Sequence, residues 1–324
     1  MSALTGARPA ATDSRGRWAW ASLLAGATGI GFAPIFVRLS ETGPTATAFY
    51  RLLFALPFLW LWASWATRSQ AGRIEGATKP ATPKQWGLIV QTGLLFTADL
   101  SVWHWSLQFT TVANSTLITN VAPVFVTLGA WLFLGEQITR RLVAGMMLAL
   151  LGAALLVGAS YSLNPRHLFG DLLSLVSAGF YAGYLLALKR LRTVFSTPVS
   201  MAWAGLVSAA GFGIVAWLSG DVMCPVTARG WWVVLGLALV GHVGGQTLIA
   251  FGIGHLPASY SSVSLLWQPV VAALAAWAVL AEALRPIQAL GGAVVLAGIA
   301  LVSSGKPTNN GMDEGGGPVN NPDA

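Results

Sequence analysis

Asp99, Trp103 and His104 fall within one short stretch, and His242 and Gln246 lie one helical turn apart. A carboxylate can hold an ammonium group or carry a proton. An imidazole titrates near neutral pH, and an amide both donates and accepts. This is the chemistry of binding and release, not of covalent catalysis. On a helix Asp99 and Trp103 share a face, while His104 is offset from Asp99 by about 140°. Arg51 is the arginine set well inside an apolar run, away from its ends, where it could pair with a carboxylate or snorkel outward.

A second polar set comes in two similar groups. Asn114, Ser115, Thr116 and Asn120 stand against Ser259, Ser261, Ser262 and Gln268. Thr116, Asn120, Pro123 and Thr127 recur at helical spacing and share one face, and Ser261, Ser264 and Gln268 share another. Their hydroxyls and amides could hydrogen-bond an amino-acid backbone, or simply bond one helix to another. Trp103 and Trp267 stand beside polar residues, where an indole could stack on an apolar substrate or pack in the core. Pro123 and Pro269 lack a donor and crowd the preceding turn, so both helices should bend there.

The motifs of other chemistries are absent from the sequence. It has no P-loop, no glycine-rich dinucleotide fingerprint, no H-E-x-x-H and no nucleophile elbow. The one cysteine, Cys224, cannot build a disulfide framework or a cysteine metal cluster. No cofactor and no metal is expected. An enzyme should gather a nucleophile, a base or metal ligands at one depth, and the four histidines do not.

These groups need elements to position them. Of the 324 residues 55% are hydrophobic and only 9% charged. An ordinary soluble domain carries about 25% charged residues. Ten apolar runs fall near 18–38, 45–67, 85–108, 112–135, 142–161, 168–191, 199–218, 231–254, 259–280 and 286–303. Each is long enough to cross roughly 30 Å of hydrocarbon at about 1.5 Å per residue. Each must be helical, because lipid cannot satisfy a broken backbone. Residues 1–16 and 305–324 read as disordered cytoplasmic tails. The net charge of +7 sits in the loops and does not mark a nucleic-acid partner. With the N-terminus inside, thirteen Lys and Arg fall on inner segments and four on outer ones. That places both termini in the cytoplasm.

The chain repeats itself. PVFVTLGAWLFLGE, Pro123 to Glu136, returns as PVVAALAAWAVLAE, Pro269 to Glu282, at an offset of 146. The same offset carries Gly145 onto Gly291, Gly152 onto Gly298 and Trp86 onto Trp232. The duplication divides the chain into a first repeat, 17–161, and a second, 162–304. Five spans is an odd number, so the halves lie inverted in the membrane. Inverted repeats are a transporter device: one plan supplies two gates around a central site. Glu136 and Glu282 fall at helix ends and read as anchors. Gly26, Gly29, Gly31, Gly241, Gly244 and Gly245 read as close packing or as a cavity wall. Trp18, Trp20, Trp86, Trp231 and Trp232 fit an interfacial belt.

Several pieces resemble the drug/metabolite transporter superfamily in its ten-span form with two EamA-type repeats. They are Pro44 to Arg51, Ala122-Pro123 with Gly135-Glu136, Gly145 with Gly152, and Gly170-Asp171-Leu172. The resemblance covers about residues 17–304. Two positions depart from the family pattern: Arg38 stands where it often has Lys, and Ala281 where it has Gly. The resemblance implies an exporter of amino acids, metabolites or drugs in the bacterial inner membrane. The tryptophan-rich spans look similar to the aromatic amino acid exporter branch.

The reading is an all-α membrane protein that exports small molecules, most simply amino acids, by alternating access, with the lipid bilayer as its other partner. Asp99, Trp103, His242, Gln246, Asn120, Thr116, Ser261, Ser264, Trp267 and Gln268 are the candidate substrate contacts. Asp99, His104, Pro123, Pro269 and Arg51 are candidates for gating or coupling. An exporter of drugs or nucleotide-sugars, a passive channel and an intramembrane enzyme remain as alternatives. With no ATPase motif, the energy must come from a gradient or from exchange.

Overall fold

A computed structural model describes residues 11–68, 79–158, 167–281 and 283–304, and every regular element in them is a helix. α1 begins at Ala11, inside the stretch read as a tail over 1–16, so the first helix starts ahead of the apolar run. Residues 1–10, the tail at 305–324 and Glu282 lie outside the described residues.

The first crossing is α1 (Ala11–Gly31) and α2 (Ala33–Leu39). The second and third are α3 (Pro44–Arg68) and α4 (Pro83–Ser106). The fourth is α5 (Val112–Thr119) with α6 (Ala122–Leu134), and the fifth is α7 (Arg140–Gly158). The sixth and seventh are α8 (Leu168–Val194) and α9 (Thr197–Ser219). The eighth joins α10 (Ala228–Gly236), a π-helical segment (Leu237–Gln246) and α11 (Thr247–His255). The ninth is α12 (Ala258–Ser264) with α13 (Trp267–Leu280), and the tenth is α14 (Pro286–Ser303). Among the described residues nine crossings are long and apolar enough to span a membrane by that test alone. The tenth, α4, has the length but carries Gln85, Gln91, Asp99 and His104, which dilute its hydropathy.

Proline decides where crossings break. The fourth is interrupted at Asn120–Val121, just before Pro123, and the ninth at Leu265–Leu266, just before Pro269. The bends expected at these prolines are therefore full breaks displaced into the preceding turn, where the proline ring collides with the helix. Each proline then sits in the first turn of the next helix, where its missing N–H is harmless. The first crossing breaks in the same way at Phe32, ahead of Pro34. The shared face drawn from Thr116 to Thr127 does not survive the break. Thr127 is buried and its hydroxyl points at Met146 Sδ, 3.7 Å away.

The duplication is visible in the packing. α7 lies against α14, α3 against α9, and α6 against α12, each crossing meeting its own counterpart. α4 packs on α8 as α11 and the π segment pack on α1, and α6 packs on α8 as α13 packs on α1. That is a two-fold arrangement of inverted halves. The repeated glycines sit on its axis. A Cβ on Gly145 would meet Gly298 O at 2.8 Å, and one on Gly298 would meet Gly145 O at 2.7 Å. Gly152 and Gly291 pair in the same reciprocal way, at 2.7 Å each. The C-caps also correspond: Gly135 has φ 67° and Ala281 φ 54°. Alanine there accepts a left-handed conformation that costs an L-residue about 1–2 kcal/mol. Trp131 and Trp277 are 53% and 56% exposed on the outside of the bundle, as side chains facing lipid.

Candidate functional site

A cavity of about 420 Å³ opens between the halves. Its wall is built by the α1–α2 break, the start of α3, the second half of α4, α5, the middle of α8, the π segment and the start of α13. The lining runs from mid-helix to the helix ends marked by Arg38, Pro44, Leu107 and Val112. It does not reach the opposite ends. There Glu136 accepts hydrogen bonds from Ala258 N at 2.6 Å, Ser259 N at 3.0 Å and the Ser259 hydroxyl. Lys189 donates to Leu256 O at 2.7 Å, Arg190 to Phe133 O at 3.1 Å and Arg192 to Ala250 O at 3.3 Å. Glu136, Lys189 and Arg190 satisfy terminal backbone groups of α12, α11 and α6, Arg192 adds a bond to mid-α11, and together they close that side. Glu136 is thus an anchor, but for a neighbouring crossing rather than its own.

Of the residues selected from sequence, Asp99, Trp103, His104, Arg51, Thr116, Asn120, Gln246, Gln268 and Pro269 line the cavity. Asp99 Oδ1 accepts from the Ser177 hydroxyl at 2.8 Å. Arg51 donates through Nη2 to Gly241 O at 3.2 Å, while its Nε has no partner. The π segment that supplies Gly241 is itself notable, since such segments recur at functional sites. Gln246 donates to the Tyr184 hydroxyl at 2.7 Å. The Tyr184 ring lies 4.8 Å from Phe96, so an aromatic floor forms under the polar groups. Asn120 Nδ2 and His104 Nδ1 are buried without partners.

The other candidates lie off the wall. His242 is 2% exposed and sits one layer back, its ring 6.0 Å from Phe96. Ser261 and Ser264 spend their hydroxyls on Pro257 O at 2.9 Å and Tyr260 O at 3.1 Å, within their own helix. Trp267 donates Nε1–H to Thr28 at 3.0 Å and packs between two core clusters. Pro123 is buried in α6. Sequence reasoning passed over Phe96, Ser177 and Tyr181, which all line the cavity. The signal for the tyrosines was present: Tyr181 and Tyr184 are three apart in mid-span and share a helix face.

At the open end, two carboxylates hold helix starts across the halves. Glu41 accepts from Val226 N and Thr227 N, at 2.9 Å each, and from the Thr227 hydroxyl. Asp221 accepts from Thr45 N at 2.8 Å, Ala46 N at 3.3 Å and the Thr45 hydroxyl. Partial burial pushes Asp221 upward, but the bonds from Thr45 and Ala46 outweigh it and hold the carboxyl below its ordinary range. The Thr227 hydroxyl and N–H do the same for Glu41. A depressed carboxyl contributes stability above its unfolded pKa and loses it as pH falls through the folded value. The melting temperature should therefore drop as pH falls below about 4, where carboxylates ordinarily titrate. Asp221→Asn keeps an acceptor but loses its charge, so it should melt lower at pH 7, by roughly 1 kcal/mol, and should flatten the acid limb. An unchanged acid limb in Asp221→Asn would remove this assignment.

Residues 17–158 and 168–304 each match the EamA-like transporter family, so the family pattern occurs twice in this chain. The chain is similar to an uncharacterized transporter of Archaeoglobus fulgidus, 24% identical over 84% of this chain and 92% of that one. It is similar to a probable terminal-alkyne amino-acid exporter of Streptantibioticus cattleyicolor, 30% identical over 62% of this chain and 67% of that one. One crystal structure shares its fold with a TM-score of 0.72 at 20% identity, covering 90% of this chain and 98% of the other.

Proposed function

The chain belongs to the EamA-like transporter family, a multi-pass membrane protein, and from that premise we propose that it exports small metabolites, neutral amino acids foremost, by alternating access. One observation carries the reading: the cavity between inverted halves is open at one set of helix ends and sealed by Glu136, Lys189, Arg190 and Arg192 at the other. A passive channel needs a path through both ends. A two-fold arrangement supplies the second state by exchanging the roles of the halves.

The distribution of lysine and arginine supports the sealed side as cytoplasmic and the open side as external. In that orientation this conformation is the one from which an exporter releases its cargo. The size of the cavity, about 420 Å³, suits a small metabolite. Its wall mixes Phe96, Leu100 and Trp103 with a carboxylate, a guanidinium and amides, which supports an amphipathic amino acid over a purely lipophilic drug. The relative from Streptantibioticus cattleyicolor, by its name, supports the same class.

Counterflow in proteoliposomes tests the reading. Vesicles loaded with a neutral amino acid should accumulate the labelled form transiently and saturably. Silence across a panel of neutral amino acids, with the protein correctly inserted, would sink the substrate class.

A further inference from the structure

We propose that the cavity binds its substrate as a zwitterion, with the carboxylate at Arg51 and the ammonium group at Asp99. The inference rests on the transport reading above and assigns the two ends of the ligand.

Two charges on the cavity wall do not pair with each other. Arg51 and Asp99 both face the cavity and are only 8% and 7% exposed. Arg51 gives one hydrogen bond to a backbone carbonyl, and Asp99 receives one from a serine hydroxyl. Among the described residues no carboxylate pairs with Arg51 and no cation pairs with Asp99. Tyr181 lines the same cavity, with Tyr184 one turn on along α8. They lie in stacked rings 6.2 Å apart. The cavity therefore carries a positive pole and a negative pole with aromatic surface beside them.

A buried charge without a counter-charge is costly, and a ligand that supplies one gains the most. An amine alone would satisfy Asp99 and leave Arg51 uncompensated. A carboxylate alone would do the reverse. A zwitterion compensates both and adds no net charge to the cavity. The donors near the poles agree: Arg51 Nε and Asn120 Nδ2 lack acceptors, and a carboxylate offers several. Phe96, Leu100, Trp103 and Leu237 leave an apolar wall for a side chain. Arg38, also on the wall, is exposed at the rim, where water screens it.

The test removes one pole at a time and one ligand charge at a time. The full chain in nanodiscs is titrated calorimetrically with L-phenylalanine, L-phenylalanine amide and 3-phenylpropanoate. The wild type should prefer phenylalanine by roughly tenfold or more over each analogue. Asp99→Asn should lose its preference for phenylalanine over 3-phenylpropanoate while still rejecting the amide. Arg51→Gln should lose its preference over the amide while still rejecting 3-phenylpropanoate. Arg51→Lys and Asp99→Glu keep the charges and should keep the wild-type order, which covers the case of a neutral variant that does not fold. If Asp99→Asn and Arg51→Gln weaken all three ligands alike, or the wild type binds the analogues as tightly as phenylalanine, the poles are wrong and the transport reading stands. If no neutral amino acid binds the wild type, the amino-acid reading falls and this inference with it.

Discussion

Replacing Glu136 with glutamine is expected to open the sealed side of the protein and shift its balance between two states. The carboxylate takes three hydrogen bonds from the first two residues of α12, Ala258 and Ser259. Hydrogen bonds to a charged group contribute about 1.5–3 kcal/mol each. Glutamine keeps one acceptor oxygen and loses the charge that faces the helix start. Under the proposed alternating access, opening that side would break these bonds, so the loss of roughly 1–3 kcal/mol would fall on the closed state alone. Cys224 is the only cysteine, so it can be replaced by alanine and a reporter placed at Ser262, which is 2% exposed. An impermeant thiol reagent applied to that side should then label Ser262→Cys about tenfold faster in Glu136→Gln than in the parent, since about 1.4 kcal/mol is a factor of ten. Glu136→Asp should fall between them. Equal labelling rates in two folded proteins would mean that the carboxylate merely decorates the helix end.

Much of this architecture was legible because it follows from periodicity and from proline and glycine, whose effects are local. The offset of 146 between PVFVTLGAWLFLGE and PVVAALAAWAVLAE implied inverted halves. The packing of α7 on α14 and of α3 on α9 shows the two-fold pairing directly. What the sequence could not reveal was which side of each crossing faces inward. Every helix in lipid is apolar on its outer face, so hydropathy no longer separates core from surface. Asp99 and Arg51 were legible because a charge within a span demands a reason. Ser261 and Ser264 were polar too, yet each satisfies a carbonyl one turn back, and sequence alone does not tell that use from a ligand contact. His242 illustrates the same difficulty at one remove. It shares a crossing with Gln246, but a ring's width separates the wall from the layer behind it. Tyr181 and Ser177 were missed because span six carries no charge at mid-depth to draw attention to it. Their relevance comes from α4, which packs on α8 and brings Asp99 to Ser177.

Gly152→Ala should cost stability and leave binding intact, and the contrast separates scaffold from site. A Cβ at position 152 would meet Val295 N at 2.5 Å and Gly291 O at 2.7 Å. Both are backbone atoms, which cannot swing aside as a side chain would, so α7 and α14 must move apart. Overpacking of this kind costs about 1–3 kcal/mol, and Gly152→Leu should exceed that range and abolish a monodisperse fold. The two helices meet in an apolar cluster, with Leu142, Met146, Ala149 and Ala153 against Val295, Ile299 and Val302, which also takes in Tyr260, Val263, Leu266 and Val270 of the ninth crossing. Neither helix contributes to the cavity wall. The protein that remains folded in Gly152→Ala should therefore bind its ligand within about twofold of the wild type while melting several degrees lower. Gly87→Ala is the control: nothing lies within 4 Å of a Cβ there, and helix propensity should make it neutral or slightly stabilising. If Gly152→Ala weakened binding without lowering the melting temperature, α7 and α14 would be moving parts coupled to the cavity. The alternating-access scheme would then have to include their crossing as a hinge, not as a fixed seam between the halves.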